Sequence, residues 1–275
     1  MDNFAILIIS HGRPNLQMTE DKLRLGGYTG KIIYVIDDTD KDIDLYIKKH
    51  GIENVFVFNK RFAAMRSDRM DNFTTLSATL FARNIAWDVA RELGLDAFCV
   101  LDDDYYYFGH RGEHGAKKTT NLDLVFEWFV EFLKSTPVKC IAFSQGGDHI
   151  GGWDDKTIAK RKMMNSFFCL TNRPFKFYGM MNDDVNSYLR NGMVGDLFFT
   201  YMRFQLDQTD TQQSNGGLTE AYIASGTYKK SFYSIMIAPS AVKIRLIGEK
   251  ATRLHHSISW GNTCPCIVPE KFKKQ

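Results

Sequence analysis

Three consecutive carboxylates, Asp102-Asp103-Asp104, end an apolar run from Ala97 to Leu101. Such a run reads as a buried parallel strand, whose side chains alternate between faces. The alternation places Asp102 and Asp104 on one side, at the strand's carboxyl end, where open α/β sheets bind their ligands. Adjacent carboxylates repel one another and resist ionisation without a counter-charge. Mg2+ or Mn2+ supplies that charge through hard oxygen ligands; a solvated acidic turn is the plain alternative. Two more acidic pairs stand in similar settings. Asp37-Asp38 caps the apolar run Lys31 to Ile36, and Asp183-Asp184 opens a stretch of helical character, where acids suit the N-terminus. A late pair, His255-His256, adds imidazole.

The elements that must position these groups alternate in type. Phe4 to Ile9 predicts a buried strand, and the loop Ser10-His11-Gly12-Arg13-Pro14 follows it. Helices are expected over Gln17 to Leu25, Asp42 to His50, Thr75 to Leu93, Asn121 to Ser135 and Asp184 to Asn191. Strands are expected over Lys31 to Ile36, Val55 to Phe58, Lys139 to Ser144, Asn165 to Leu170, Leu197 to Leu206 and Val242 to Ile247. Strands alternating with helices argue a parallel, doubly wound sheet. Asn59 to Asn72, with Lys60, Arg61, Arg66 and Arg69, reads as a loop near the site. Gln208 to Gly217 is polar and precedes a short helix from Gly217 to Gly226, which makes it a candidate lid.

Composition bounds the class. A chain of 275 residues, 44% hydrophobic and 13% aromatic, has material for a sizeable core. A net charge of +3 permits a nucleic-acid partner without demanding one. The five cysteines are odd in number and mostly lie in apolar runs, which suggests a reducing compartment. Cys264-Pro265-Cys266 is spaced too tightly for a zinc knuckle. Phe4 to Ile9 is too short for a signal sequence, and no apolar run approaches the roughly 20 residues that span a bilayer. A cytoplasmic location is expected, that of the host if the chain is phage-encoded; the oligomeric state stays open.

The unit Ala82-Arg83-Asn84, a helix, then Leu101-Asp102-Asp103-Asp104 resembles the core of nucleotide-sugar glycosyltransferases of the GT-A fold. The Ser10 to Pro14 loop and the acids Asp37 and Asp38 fall in that family's order, and the resemblance covers roughly residues 4 to 200. More narrowly, the Ser-His-Gly-Arg-Pro-Asn start and the Asp-Asp-Asp-Tyr strand are similar to glycosyltransferases associated with TET/JBP-type base hydroxylases, found in phages and in kinetoplastids that make glucosylated thymine.

The resemblance implies a mixed, mostly parallel sheet flanked by helices, one domain over 1–275 with a nucleotide-binding half to about residue 110 and an acceptor-binding half beyond. It implies a nucleoside-diphosphate sugar donor, a UDP-sugar favoured, held by His11, Arg13, Asp37, Asp38, Arg83, Asp102 and Asp103. It implies Mn2+ or Mg2+ on Asp102 and Asp104 with a late histidine, His255 or His256, as third ligand. An inverting enzyme of this fold needs a general base; the pair Asp183-Asp184 stands in its place, and Asp184 is the choice. The acceptor suggested is a 5-hydroxymethylpyrimidine in DNA. Basic clusters at Lys60 to Arg69 and Lys156 to Lys162 would hold phosphates, and the aromatics Tyr105 to Phe108 and Phe175 to Tyr178 would stack an extruded base. A saccharide acceptor, a nucleotidyltransferase and a nucleic-acid-binding module are the competing readings.

Overall fold

The computed structural model describes residues 3–70, 76, 78–149, 152, 154, 156–208, 228–247 and 253–264. The candidate lid Gln208 to Gly217, apart from Gln208, lies outside the described residues, as do the helix expected over Gly217 to Gly226 and Cys266.

Strand β1 (Phe4–Ile9) shows why an unbroken apolar run becomes a central strand. All its residues are buried; Ala5, Leu7 and Ile9 enter one core while Phe4, Ile6 and Ile8 enter the other. It pairs in parallel with β2 (Lys31–Asp37) on one side and β4 (Ala97–Asp102) on the other, and β3 (Val55–Phe58) extends the sheet beyond β2. Beyond β4 stand β9 (Ser166–Leu170), β7 (Cys140–Ser144) and β10 (Phe198–Gln208). A hairpin of β5 (Tyr105–Gly112) and β6 (Gly115–Lys118) closes that edge, and β8 (Ala159–Lys160) pairs with β10. Strands β1 to β4, β6, β7 and β10 run one way; β5, β8 and β9 run the other. The mixed, mostly parallel sheet expected from the resemblance is therefore present.

Helices α1 (Met18–Leu25), α2 (Ile43–His50) and α5 (Leu122–Ser135) cover one face through Leu23, Tyr46 and Phe126. The other face carries α3 (Lys60–Met65), α4 (Leu80–Glu92) and α6 (Asp183–Met193) through Ala63, Phe81 and Leu189. On that side a helix α7 (Tyr228–Ile237) packs against a hairpin of β11 (Val242–Ile247) and β12 (Arg253–Ile258).

The structure corrects several local expectations. Residues 60–65 form a helix rather than a loop, because the Asn59 side chain caps it, accepting from Phe62 N at 2.7 Å, and Ala63 is buried. The helix read from Thr75 begins at Leu80 among the described residues. His255 and His256 do not follow a final strand but lie within one, paired with Arg245 and Ile244. The aromatic run after the acids is itself a strand, β5. Strand β4 ends at Asp102, so Asp103 and Asp104 form the turn into β5 and the alternation argument does not extend to Asp104.

Candidate active site

The end of β4 and the turn after it send the first two acids to different layers. Asp102 follows Phe98 and Val100 toward the α4 and α6 face, while Asp103 follows Cys99 and Leu101 toward α1 and α2. Asp103 is buried between the Ser10 hydroxyl, which donates to it, and the Arg13 guanidinium at 2.9 Å. Burial pushes its carboxyl up to about 6; Arg13 and Ser10 oppose the rise, and Asp104 and Asp102 add to it. The loop that carries Arg13 is fixed through its backbone. Gly12 N donates to Asp40 at 2.7 Å and Arg13 N to the Tyr46 hydroxyl at 3.0 Å, with Gly12 at a φ of 67° that favours glycine. Thr19, which the sequence did not single out, pins the acid turn: its hydroxyl donates to Asp102 O at 2.6 Å and accepts from Tyr105 N at 2.9 Å.

Arg83 joins the two acidic motifs. It is 4% exposed, and one guanidinium nitrogen donates to both oxygens of Asp183 at 2.8 Å while the other reaches both oxygens of Asp102 at 3.2 Å. Burial opposes its charge, but Asp183, Asp102 and Asp184 outweigh burial and hold the guanidinium firmly protonated. Arg83 thus bridges Asp102 at the end of β4 to Asp183 at the start of α6. Asp183 is occupied by that contact, and its burial still pushes it up to about 6. Asp184 is buried beside it; one carboxylate oxygen accepts from Val185 N at 2.8 Å. Burial raises this carboxyl above the usual range, with Arg83 opposing. Burial raises both carboxyls of the pair, and Asp184 is the one left outside the Arg83 hydrogen bonds.

Asp37 accepts from His11 Nδ1 at 2.8 Å and Lys60 Nζ at 3.2 Å, and from the Thr39 hydroxyl. Burial resists its ionisation, yet these partners together hold it well below the usual carboxylate range, and Asp37 in turn raises His11. Asp38 is exposed but engaged, by Lys60 N at 2.9 Å and Asn59 Nδ2 at 2.6 Å. His11, Asp37 and Asp38 therefore form one cluster at the carboxyl ends of β1 and β2, and Arg13 with Asp103 lies beside it.

His256 stands near the start of α6. Asn182, immediately before the acidic pair, sits 3.4 Å from His256 Nδ1 and 2.8 Å from the Ser234 hydroxyl of α7. Burial lowers His256 to about 4, helped by His255 and Lys230, so its ring is neutral at physiological pH. Among the described residues no group of three or more His, Cys, Asp and Glu is gathered as a ready metal cage.

Parts of the expected phosphate track and stacking platform take other roles, while Arg61, Lys156 and Tyr106 stay exposed. Lys162 pairs with Asp148, Lys160 donates to Asp148 O at 2.6 Å, and Arg161 donates to Trp260 O and to Thr263 at 3.1 Å. Lys60 serves Asp37, and Arg66 pairs with Asp88 at 2.8 Å. Tyr105, Phe108, Phe175 and Phe177 are core residues, and Tyr178 lies under the Arg190 guanidinium at 4.1 Å.

The TET-Associated Glycosyltransferase family model matches residues 4–217. The chain belongs to this family. It is a glycosyltransferase, which removes the nucleotidyltransferase and binding-module readings. No curated protein sequence matches it. Solved structures similar to this glycosyltransferase include glucosyl-3-phosphoglycerate synthase from Mycobacterium tuberculosis in complex with Mg2+ and uridine diphosphate, 8% identical, covering 93% of this chain and 87% of that one, with a TM-score of 0.48. Another is S. aureus TarS (residues 1–349) in complex with UDP-GlcNAc, 13% identical, covering 86% and 66%, with a TM-score of 0.48. A third is GalNAc-T7 with UDP, GalNAc and Mn2+, 12% identical, covering 75% and 43%, with a TM-score of 0.46. No helix among the described residues is long and apolar enough to cross a membrane.

Proposed function

We propose that this glycosyltransferase moves a sugar from a UDP-sugar to the hydroxyl of a 5-hydroxymethylpyrimidine in DNA, with inversion. The family description supports the acceptor, because a base hydroxylase makes the hydroxymethyl group that such an enzyme would consume. The observation that carries the mechanism is the arrangement at Arg83, which fastens the acid turn to the α6 acids while leaving Asp184 outside its grip. In this reading Asp184 accepts the proton of the attacking hydroxyl. Asp183 and Arg83 hold the start of α6 in place. Arg13 and His11 meet the donor's phosphates, and Asp37 and Asp38 face its base.

The donor set suits a divalent cation. Mg2+ is commonly held by one or two carboxylates and completed by substrate phosphates and water, so a three-residue cage is unnecessary. The hard oxygens of Asp102 and Asp104 at the acid turn fit that pattern; His256, neutral and close to α6, is the candidate nitrogen ligand, with His255 its neighbour. When bound, the ion offsets charge on the departing diphosphate. Asp104→Ala is expected to abolish metal-dependent nucleotide binding, read by calorimetry with UDP and Mn2+, while the circular dichroism spectrum is preserved. Full transfer in excess chelator would contradict this.

The test of the acceptor supplies labelled UDP-sugars with duplexes carrying 5-hydroxymethylcytosine, 5-hydroxymethyluracil or unmodified bases. Transfer confined to hydroxymethylated DNA, weakening as salt rises, is expected. Labelling of simple saccharides and of no duplex would assign the enzyme to glycan chemistry instead.

A further inference from the structure

Beside the acid turn, three side-chain amides meet. Register places them. Leu101 of β4 pairs with Ser166 of β9, so Asn165, one residue earlier, comes opposite Asp102. Tyr105, immediately after the acids, pairs with Gln208, the last residue of β10, across a register shift that re-aims the strand end. Gln145 directly follows β7, whose last residue pairs with Gln205 of β10. All three therefore project from the edge of the sheet that carries Asp102 to Asp104. They are half-buried rather than enclosed.

Their hydrogen bonds leave a defined remainder. The Gln208 carbonyl oxygen accepts from Gln145 Nε2 at 3.3 Å and also from Asn165 Nδ2. The Asn165 backbone, at a φ of 57°, is held by the Tyr105 hydroxyl, which donates to its carbonyl. Among the described residues no bond is recorded to the Gln208 amide hydrogens or to the carbonyl oxygens of the Gln145 and Asn165 side chains. The cluster thus offers donors and acceptors side by side on a fixed frame. The hydrogen-bonding edge of a pyrimidine carries the complement: exocyclic carbonyl oxygens that accept, and an N–H or amino group that donates. An amide set of this kind suits a neutral heterocycle rather than a phosphate, which would call for cations.

We propose that Gln145, Asn165 and Gln208 form the site that reads the edge of the acceptor base, with Gln208 supplying the donor that distinguishes one hydroxymethylpyrimidine from the other. The proposal rests on the DNA-acceptor reading above. It places the reacting nucleotide next to the acid turn with its edge toward β7 and β10.

The decisive variant is Gln208→Glu. A carboxylate keeps the oxygen that accepts from both Gln145 and Asn165, so the cluster's internal bonds survive, but it presents no donor. It is expected to raise the KM for 5-hydroxymethyluracil duplexes on the order of 10- to 100-fold, the range of one lost base contact pair. The amino group of 5-hydroxymethylcytosine donates to a carboxylate, so the kcat/KM ratio of the two duplexes should move toward hydroxymethylcytosine. Gln145→Leu should raise the KM for both duplexes, with the donor KM staying put. A merely structural role would move donor and acceptor KM together and leave the base preference alone; that result, or an unmoved acceptor KM in both variants, overturns the assignment. No transfer to any duplex by the unaltered enzyme would remove the DNA reading and this assignment together. Transfer with an unmoved base preference would remove the assignment only.

Discussion

Asp184→Asn should lower turnover on the order of 10²- to 10⁴-fold, the range for a lost general base, while donor binding changes little. The substitution keeps shape, burial and the capacity to accept from Val185 N, and removes only basicity. Its pH signature is equally specific. Burial raises the Asp184 carboxyl, so kcat/KM of the unaltered enzyme should fall as pH drops through that raised value, and the residual rate of the Asn variant should be flat over the same limb. The sign for stability runs opposite. A carboxyl raised on folding contributes stability that is present below its unfolded value and lost as pH rises through its folded one. At neutral pH the buried Asp184 carboxylate is therefore a cost, and the Asn variant should keep or raise the thermal midpoint. A variant nearly as active as the parent, or a product with retained anomeric configuration, would show that Asp184 is not the base.

Arg83→Met should have the largest effect on the fold of any single change at this site. Removing one partner of a buried ion pair leaves charge with no compensation and typically costs about 3–5 kcal/mol. Here Asp183 is buried and, among the described residues, paired with Arg83 alone, and Asp102 loses its guanidinium contact as well. Denaturant unfolding of the single variant, of Asp183→Asn and of the double variant measures the coupling directly. The double variant should recover part of the loss, because no charged Asp183 remains to be buried. It should not recover activity, since neither the acid turn nor the start of α6 is then fastened. Arg83→Lys should fold better than Arg83→Met yet remain impaired, as a single ammonium cannot match a planar fork spanning two carboxylates. Equal stability of parent and Arg83→Met would mean that the bridge contributes nothing.

Much of this was legible without coordinates because it depends on local order. Unbroken apolar runs such as Phe4 to Ile9 and Ala97 to Leu101 had to be buried strands, and the acids after them had to reach the carboxyl edge. The Ala82-Arg83-Asn84 helix with the Asp102 to Asp104 triplet carried the family. Asp183-Asp184 opened a helix as read. What the chain order could not decide was which charges would face one another. Arg83 reads on a helix as a donor ligand or a surface arginine; only the packing of α4 and α6 on one face of the sheet turns it into a buried bridge between Asp102 and Asp183. Several members of the aromatic and basic runs are buried or paired elsewhere for the same reason. Composition states that a ring or a lysine is present, whereas burial and pairing are set by neighbours far away in sequence. Asn165, Gln208 and Gln145 carried no local signal at all. Their meeting is a matter of strand order and register, β9, β7 and β10 standing beyond β4, which a sequence of isolated segments does not encode.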